Sequence, residues 1–159
     1  MNDKELPEEL IKDSQEEEPQ KKFESLYSRV MEMPISEKIK LATLGNKEAR
    51  NLLIKDPNRL IILAVINSPK LTDQEVVSYA ANRNLSKEVP RLIANKKEFM
   101  KNYNVKLALV QNAKTPVPTA LKILGSLREK DLRNISKSKN VSTIIARTAM
   151  KILSSKGRV

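Results

Sequence analysis

Cysteine and histidine are both absent from the 159 residues, so the chain offers no thiolate or imidazole ligand and no Cys or His nucleophile or base. Zinc sites, iron–sulfur clusters, His-dependent triads and a disulfide framework are thereby excluded within it. Tryptophan is missing too, and three Tyr with two Phe are few for a surface that stacks nucleic-acid bases. Glycine occurs only three times, at the isolated positions Gly45, Gly125 and Gly157, so no glycine-rich phosphate loop exists. No apolar N-terminal region and no long uncharged apolar run occurs, which predicts no membrane span and a reducing cytoplasmic setting. What remains is rich in Leu, Ile, Val and Ala, a profile that favours helices packed through aliphatic side chains over glycine-turned β sandwiches.

Charge is distributed unevenly. The formal net charge is +11, yet residues 1–20 hold eight acidic groups against Lys4 and Lys12, a side-chain charge of −6. Residues 101–159 hold thirteen Lys and Arg against Glu129 and Asp131, an excess of +11. Residues 1–21 combine Pro, Gln and acidic groups with too little apolar surface to offset the entropy of ordering, and read as a disordered acidic tail before a helical domain at 22–157. From Lys22, Phe23, Leu26, Val30 and Met33 recur at helical spacing until Pro34 interrupts. Ser36 is expected to cap a helix that Gly45 ends, and Asn46 to cap the next, closed by Asp56-Pro57.

Beyond Pro57 one corner recurs four times, at Asn67–Thr72, Asn82–Ser86, Asn112–Pro116 and Ser138–Ser142. Asn is expected to end a helix in the left-handed conformation, Leu85 or Val141 to tuck beneath the corner, and Thr72, Ser86, Thr115 or Ser142 to cap the next helix. Pro116 suits the first helical position, and Pro90 and Pro118 fall in first turns, where a missing N–H is harmless. Similarity extends past the corners: the segment from Leu63 through Asp73 aligns with that from Leu107 through Val117 at an offset of 44, and Asn84–Arg91 with Asn140–Arg147 at 56. Short helices cannot bury an apolar face alone, so an all-α fold of helix–turn–helix repeats stacked as a small right-handed α-solenoid is expected. The pattern, best seen in LALVQNAKTPVPTALKIL, resembles the leucine-rich repeat variant and HEAT-like α-helical repeats of bacterial proteins over roughly residues 58–154. The resemblance implies a binding surface; the Cys-rich cluster segment of some such proteins has no counterpart here.

Catalysis finds no support. Asp73 with Glu75, and Glu129 with Asp131, lie two apart and so do not share a helix face, and first-turn acids suit the helix dipole. Neither an enzyme nor a cofactor or metal is expected. The candidate binding surface comprises Lys114, in a turn equivalent to that of Lys70, Lys122, Arg147 and Lys151 on second helices, and Arg133, Lys137 and Lys139 on the preceding helix and turn. The expected function is a non-catalytic interaction module or adaptor whose partner is another protein, with acidic proteins among the candidates; the alternative is a nucleic-acid-binding module using the basic half. The stripe Ile144, Ile145, Ala149, Ile152 and Leu153 in the last helix fits core packing better than a membrane surface.

Overall fold

The computed structural model describes residues 6–11 and 20–156, with the side chains of residues 6–11 and 25–156. Among the described residues the chain is all-helical, with ten α-helices, two 3-10 turns and no strand. The expected tail falls largely on residues 1–5 and 12–19, and Gly157 at the far end; these lie outside the described residues. The chain divides into two compact units, one ending at Leu71 and the other beginning at Thr72.

In the first unit, α1 (Gln20–Met31), α2 (Ile35–Leu44), α3 (Lys47–Leu53) and α4 (Arg59–Ile66) follow one another through short corners. Leu26 and Val30 are buried one turn apart on α1, as their spacing predicts. Pro34 stands at the N-cap of α2, and Ser36 is its second residue and caps nothing; the helix starts earlier than expected because proline's fixed φ already suits the entry. Gly45 is required by close approach: a Cβ there would lie 2.5 Å from the Leu41 carbonyl and 2.6 Å from the Ala49 Cβ. Residues 6–11, within the segment read as a tail, carry a 3-10 turn at Glu8–Leu10 that packs on α3. Leu10 is fully buried, its carbonyl accepts from Asn46 N at 2.6 Å, and Glu9 O accepts from Asn46 Nδ2 at 2.8 Å. Asn46 also caps α3, accepting from Ala49 N at 3.0 Å.

Beneath the corner between α3 and α4, Lys38 Nζ meets Asp56 Oδ2 at 2.8 Å with both groups buried. The other Asp56 oxygen accepts from Asn58 N at 2.8 Å, so one carboxylate both neutralises a buried ammonium and shapes the entry to α4. Such pairs cost desolvation to form, but losing one partner strands a charge in the core.

In the second unit, α5 (Asp73–Ala81), α6 (Glu88–Ala94), α7 (Tyr103–Gln111), α8 (Val117–Leu124), α9 (Glu129–Lys137) and α10 (Thr143–Ser155) pack through Leu, Ile and Val. Each of α5 and α8 packs on the helix two further along, α7 and α10 respectively, while α9 and α10 form a close pair. The start of α4 at Arg59 recurs at Tyr103, and the start of α5 at Asp73 recurs at Val117, so the offset of 44 holds for both helix starts.

The corners work differently from expectation. Asn67, Asn82 and Asn112 have φ of −90°, −82° and −92°, and Ser138 has −73°, none of them left-handed. Asn82, Asn112 and Ser138 instead accept, through the side-chain oxygen, the N–H two residues on, at 2.9, 2.9 and 3.1 Å. A polar side chain thereby closes the turn that a backbone carbonyl would otherwise close, without the steric cost of positive φ. Thr72 and Glu75 form a full capping box, and Ser142 accepts from Ile145 N at 3.4 Å. Ser86 accepts from Glu88 N at 3.3 Å. Thr115 does not cap α8: Pro116 occupies the N-cap, and the buried Thr115 hydroxyl has no hydrogen-bond partner.

Candidate interaction surface

Two helices carry most of the candidate cations. On α9, Leu132 and Ile135 face inward, so Arg133 and Lys137, four apart, fall on the exposed side, and Lys139 is exposed in the following turn. On α10, Ile145, Ala149 and Leu153 are buried at intervals of four, which turns Arg147 and Lys151 to the opposite, exposed side. Because α9 and α10 pack together, the two cation pairs sit on adjacent helices. Among the described residues none of these five cations has an acidic partner. Lys122 is exposed on α8.

Lys114 has another role. Its ammonium donates to the Leu85 carbonyl at 2.8 Å and ties the corner after α7 to the corner after α5. Lys70, 44 residues earlier, reaches Leu44 O at 3.4 Å in the same manner. Beside Lys114, the buried Asn112 donates from Nδ2 to Ala80 O at 2.8 Å, a second tie between the same two corners.

Other acidic groups are engaged structurally. Glu75 Oε2 accepts from Thr72 N at 2.8 Å and from its hydroxyl at 3.0 Å. Asp131 accepts from the Tyr103 hydroxyl, which itself accepts from Arg128 N at 2.9 Å. The Arg128 guanidinium lies 4.2 Å from the Tyr103 ring centroid, a cation–π contact. Partial burial first, and the Asp131 hydrogen bond second, raise the Tyr103 phenol above its ordinary pKa. Between α5 and α7 an open groove of about 360 Å³ is lined by Val77, Ala81, Asn104, Leu107 and Gln111. Arg83, also on its lining, donates to the Gln111 carbonyl at 3.4 Å, at the C-terminal end of α7. Among the described residues no three acidic side chains gather as a metal site would require, and no helix is long and apolar enough to cross a membrane.

Sequence reasoning missed two members of this surface. Ile144, counted in the buried stripe, is 57% exposed, and Met150 is 39% exposed. The strict four-residue interval of Ile145, Ala149 and Leu153 leaves Ile144 on the solvent side, a distinction that an adjacent Ile-Ile pair obscures. Comparison with known proteins finds no matching protein family, no matching curated protein and no matching solved structure.

Proposed function

We propose that the chain is a non-catalytic interaction module or adaptor of helical-repeat type, working in the cytoplasm, whose partner is another protein with an acidic contact surface. The observation that carries this is the set of Arg133, Lys137, Arg147 and Lys151, exposed on two packed helices and lacking acidic partners among the described residues. Cations held on a packed scaffold lose little freedom when an acidic surface meets them, which favours recognition over diffuse attraction. The proposal includes helix pairs stacked as a small right-handed α-solenoid of the leucine-rich repeat variant or HEAT-like kind. In its support, the helix starts repeat at an offset of 44, and Lys70 and Lys114, at the same offset, each donate to a backbone carbonyl of an earlier segment.

Nucleic-acid binding is the second reading, favoured by the same surplus of cations. The test compares affinity purification with the wild-type chain and with an Arg133→Glu, Lys137→Glu, Arg147→Glu, Lys151→Glu variant, alongside salt titration of both on duplex DNA. A protein recovered by the wild type alone, with DNA affinity weak at moderate salt, supports the adaptor. The same recovered proteins from both chains refute it, and tight, steeply salt-dependent DNA binding replaces it with the second reading.

A further inference from the structure

We propose that the solvent face of α10 docks an acidic amphipathic helix of a partner protein, seating aliphatic side chains on Ile144 and Met150 and carboxylates on Arg147 and Lys151. This rests on the interaction-module reading and adds the chemistry and shape of the ligand. The buried stripe of Ile145, Ala149 and Leu153 is already taken up by packing on α9 and α8. The opposite face would ordinarily be polar throughout. Here Ile144 and Met150 stand exposed on it, with Arg147 between them on the helical wheel and Lys151 alongside.

Charge complementarity selects the occupant. The helix TIIARTAMKILSS contains no acidic residue, and neither of its exposed cations has an acidic partner among the described residues. A second copy of this face would meet like charge with like charge, so the face does not suit self-association. Duplex phosphates satisfy the cations but leave Ile144 and Met150 without a counterpart. A membrane surface would use the broad apolar face, which is the one buried in the core. Two apolar side chains at the edges of a stripe centred on cations match a helix whose contact face mixes carboxylates with aliphatic groups. Ile144 and Met150 are about 9 Å apart along the axis, within two turns of a partner helix. Helix pairs approach to about 8–10 Å, close enough to cover both side chains.

The test uses the full-length chain and a labelled synthetic helix bearing Glu and Leu on one face. Its control is the same peptide with every Leu replaced by Gln, which keeps charge and helix propensity. Duplex DNA and phosphatidylglycerol–phosphatidylcholine vesicles are the competing ligands. Covering the exposed part of Ile144 alone is worth roughly five-fold in affinity, so the Leu peptide should bind at least about ten-fold tighter than the Gln peptide. Ile144→Ser with Met150→Gln should erase that preference while leaving the Gln peptide's affinity unchanged. Arg147→Gln with Lys151→Gln should weaken both peptides. Circular dichroism of each variant confirms that the exposed substitutions leave the fold intact. Equal binding of the two peptides overturns the docking helix but leaves an electrostatic protein surface standing. Preference for DNA or vesicles, or no binding to the Leu peptide, overturns the proposal; tight DNA binding with no peptide binding overturns the interaction-module reading as well.

Discussion

Replacing Asn112 should show how much the cross-corner ties contribute. The side chain is 3% exposed and makes three hydrogen bonds at once: Oδ1 accepts from Lys114 N at 2.9 Å, and Nδ2 donates to Ala80 O at 2.8 Å and to Asn82 O at 3.5 Å. Asn112→Ala removes all three and strands the buried Ala80 carbonyl, which should cost about 2–3 kcal/mol. Asn112→Asp is the sharper probe because it keeps the volume and the acceptor for Lys114 N. It changes only the donor, setting a carboxylate oxygen against the Ala80 carbonyl. Burial and the facing carbonyl both disfavour the ionised form, so the folded-state pKa of this new carboxyl lies above its unfolded value. The folded state then binds the proton more tightly than the unfolded state. The penalty is full above the folded pKa and shrinks as pH falls toward the unfolded value near about 4, where a protonated oxygen can donate to Ala80 again. Urea unfolding followed by circular dichroism, at neutral pH and near pH 4.5, reads the difference from wild type at each pH. A loss within about 0.5 kcal/mol for both variants would refute the tie, as would an Asp variant whose deficit grows on acidification.

Four further outcomes are expected. Lys38→Met leaves the buried Asp56 without its counter-ion and should cost about 3 kcal/mol in urea unfolding, with Asp56→Asn in the same chain recovering part of it. Gly45→Ala should lower the thermal midpoint although Ala is the better helix former, because the added Cβ collides with the Leu41 carbonyl and the Ala49 side chain. Ser142→Ala should cost about 1 kcal/mol, whereas Thr115→Val should be neutral or stabilising since that buried hydroxyl bonds to nothing; equal losses would contradict the assigned roles. Spectrophotometric titration should place the Tyr103 phenol above its ordinary value, and the stability it contributes should hold below pH about 10 and decline as pH rises further, an effect that Tyr103→Phe abolishes.

Local chemistry was the readable part of this chain. Pro34, Gly45, Asn46, Thr72 and Ser142 mark helix boundaries through residues within four positions of one another, and the structure uses them at or beside those boundaries. The mechanism at the corners was less legible, since an Asn side chain can close a turn or accept positive φ and the residue type is the same for both. Contacts between distant segments left no local trace. Tyr103 with Asp131, Lys114 with Leu85, and Leu10 beneath α3 join positions 28 or more apart, and no spacing rule reaches that far. For the surface, Arg147 and Lys151 could be named as candidates from the sequence, but Ile144 required knowing which neighbour, Ile145, the core had taken.

The corner built on Asn82, Asn112 or Ser138 closes its turn with its own side chain, so it needs no fixed neighbour to do so. A corner of this kind is a natural seam for duplication and insertion: a helix or a few residues can be gained or lost there while the hydrogen bonds of the turn stay within the segment being copied. Such corners tolerate unequal spacing between similar stretches, as the intervals of 44 and 56 require. The tie from Asn112 to Ala80 is of another kind: it fastens one particular corner to another and would not survive a change in the length between them.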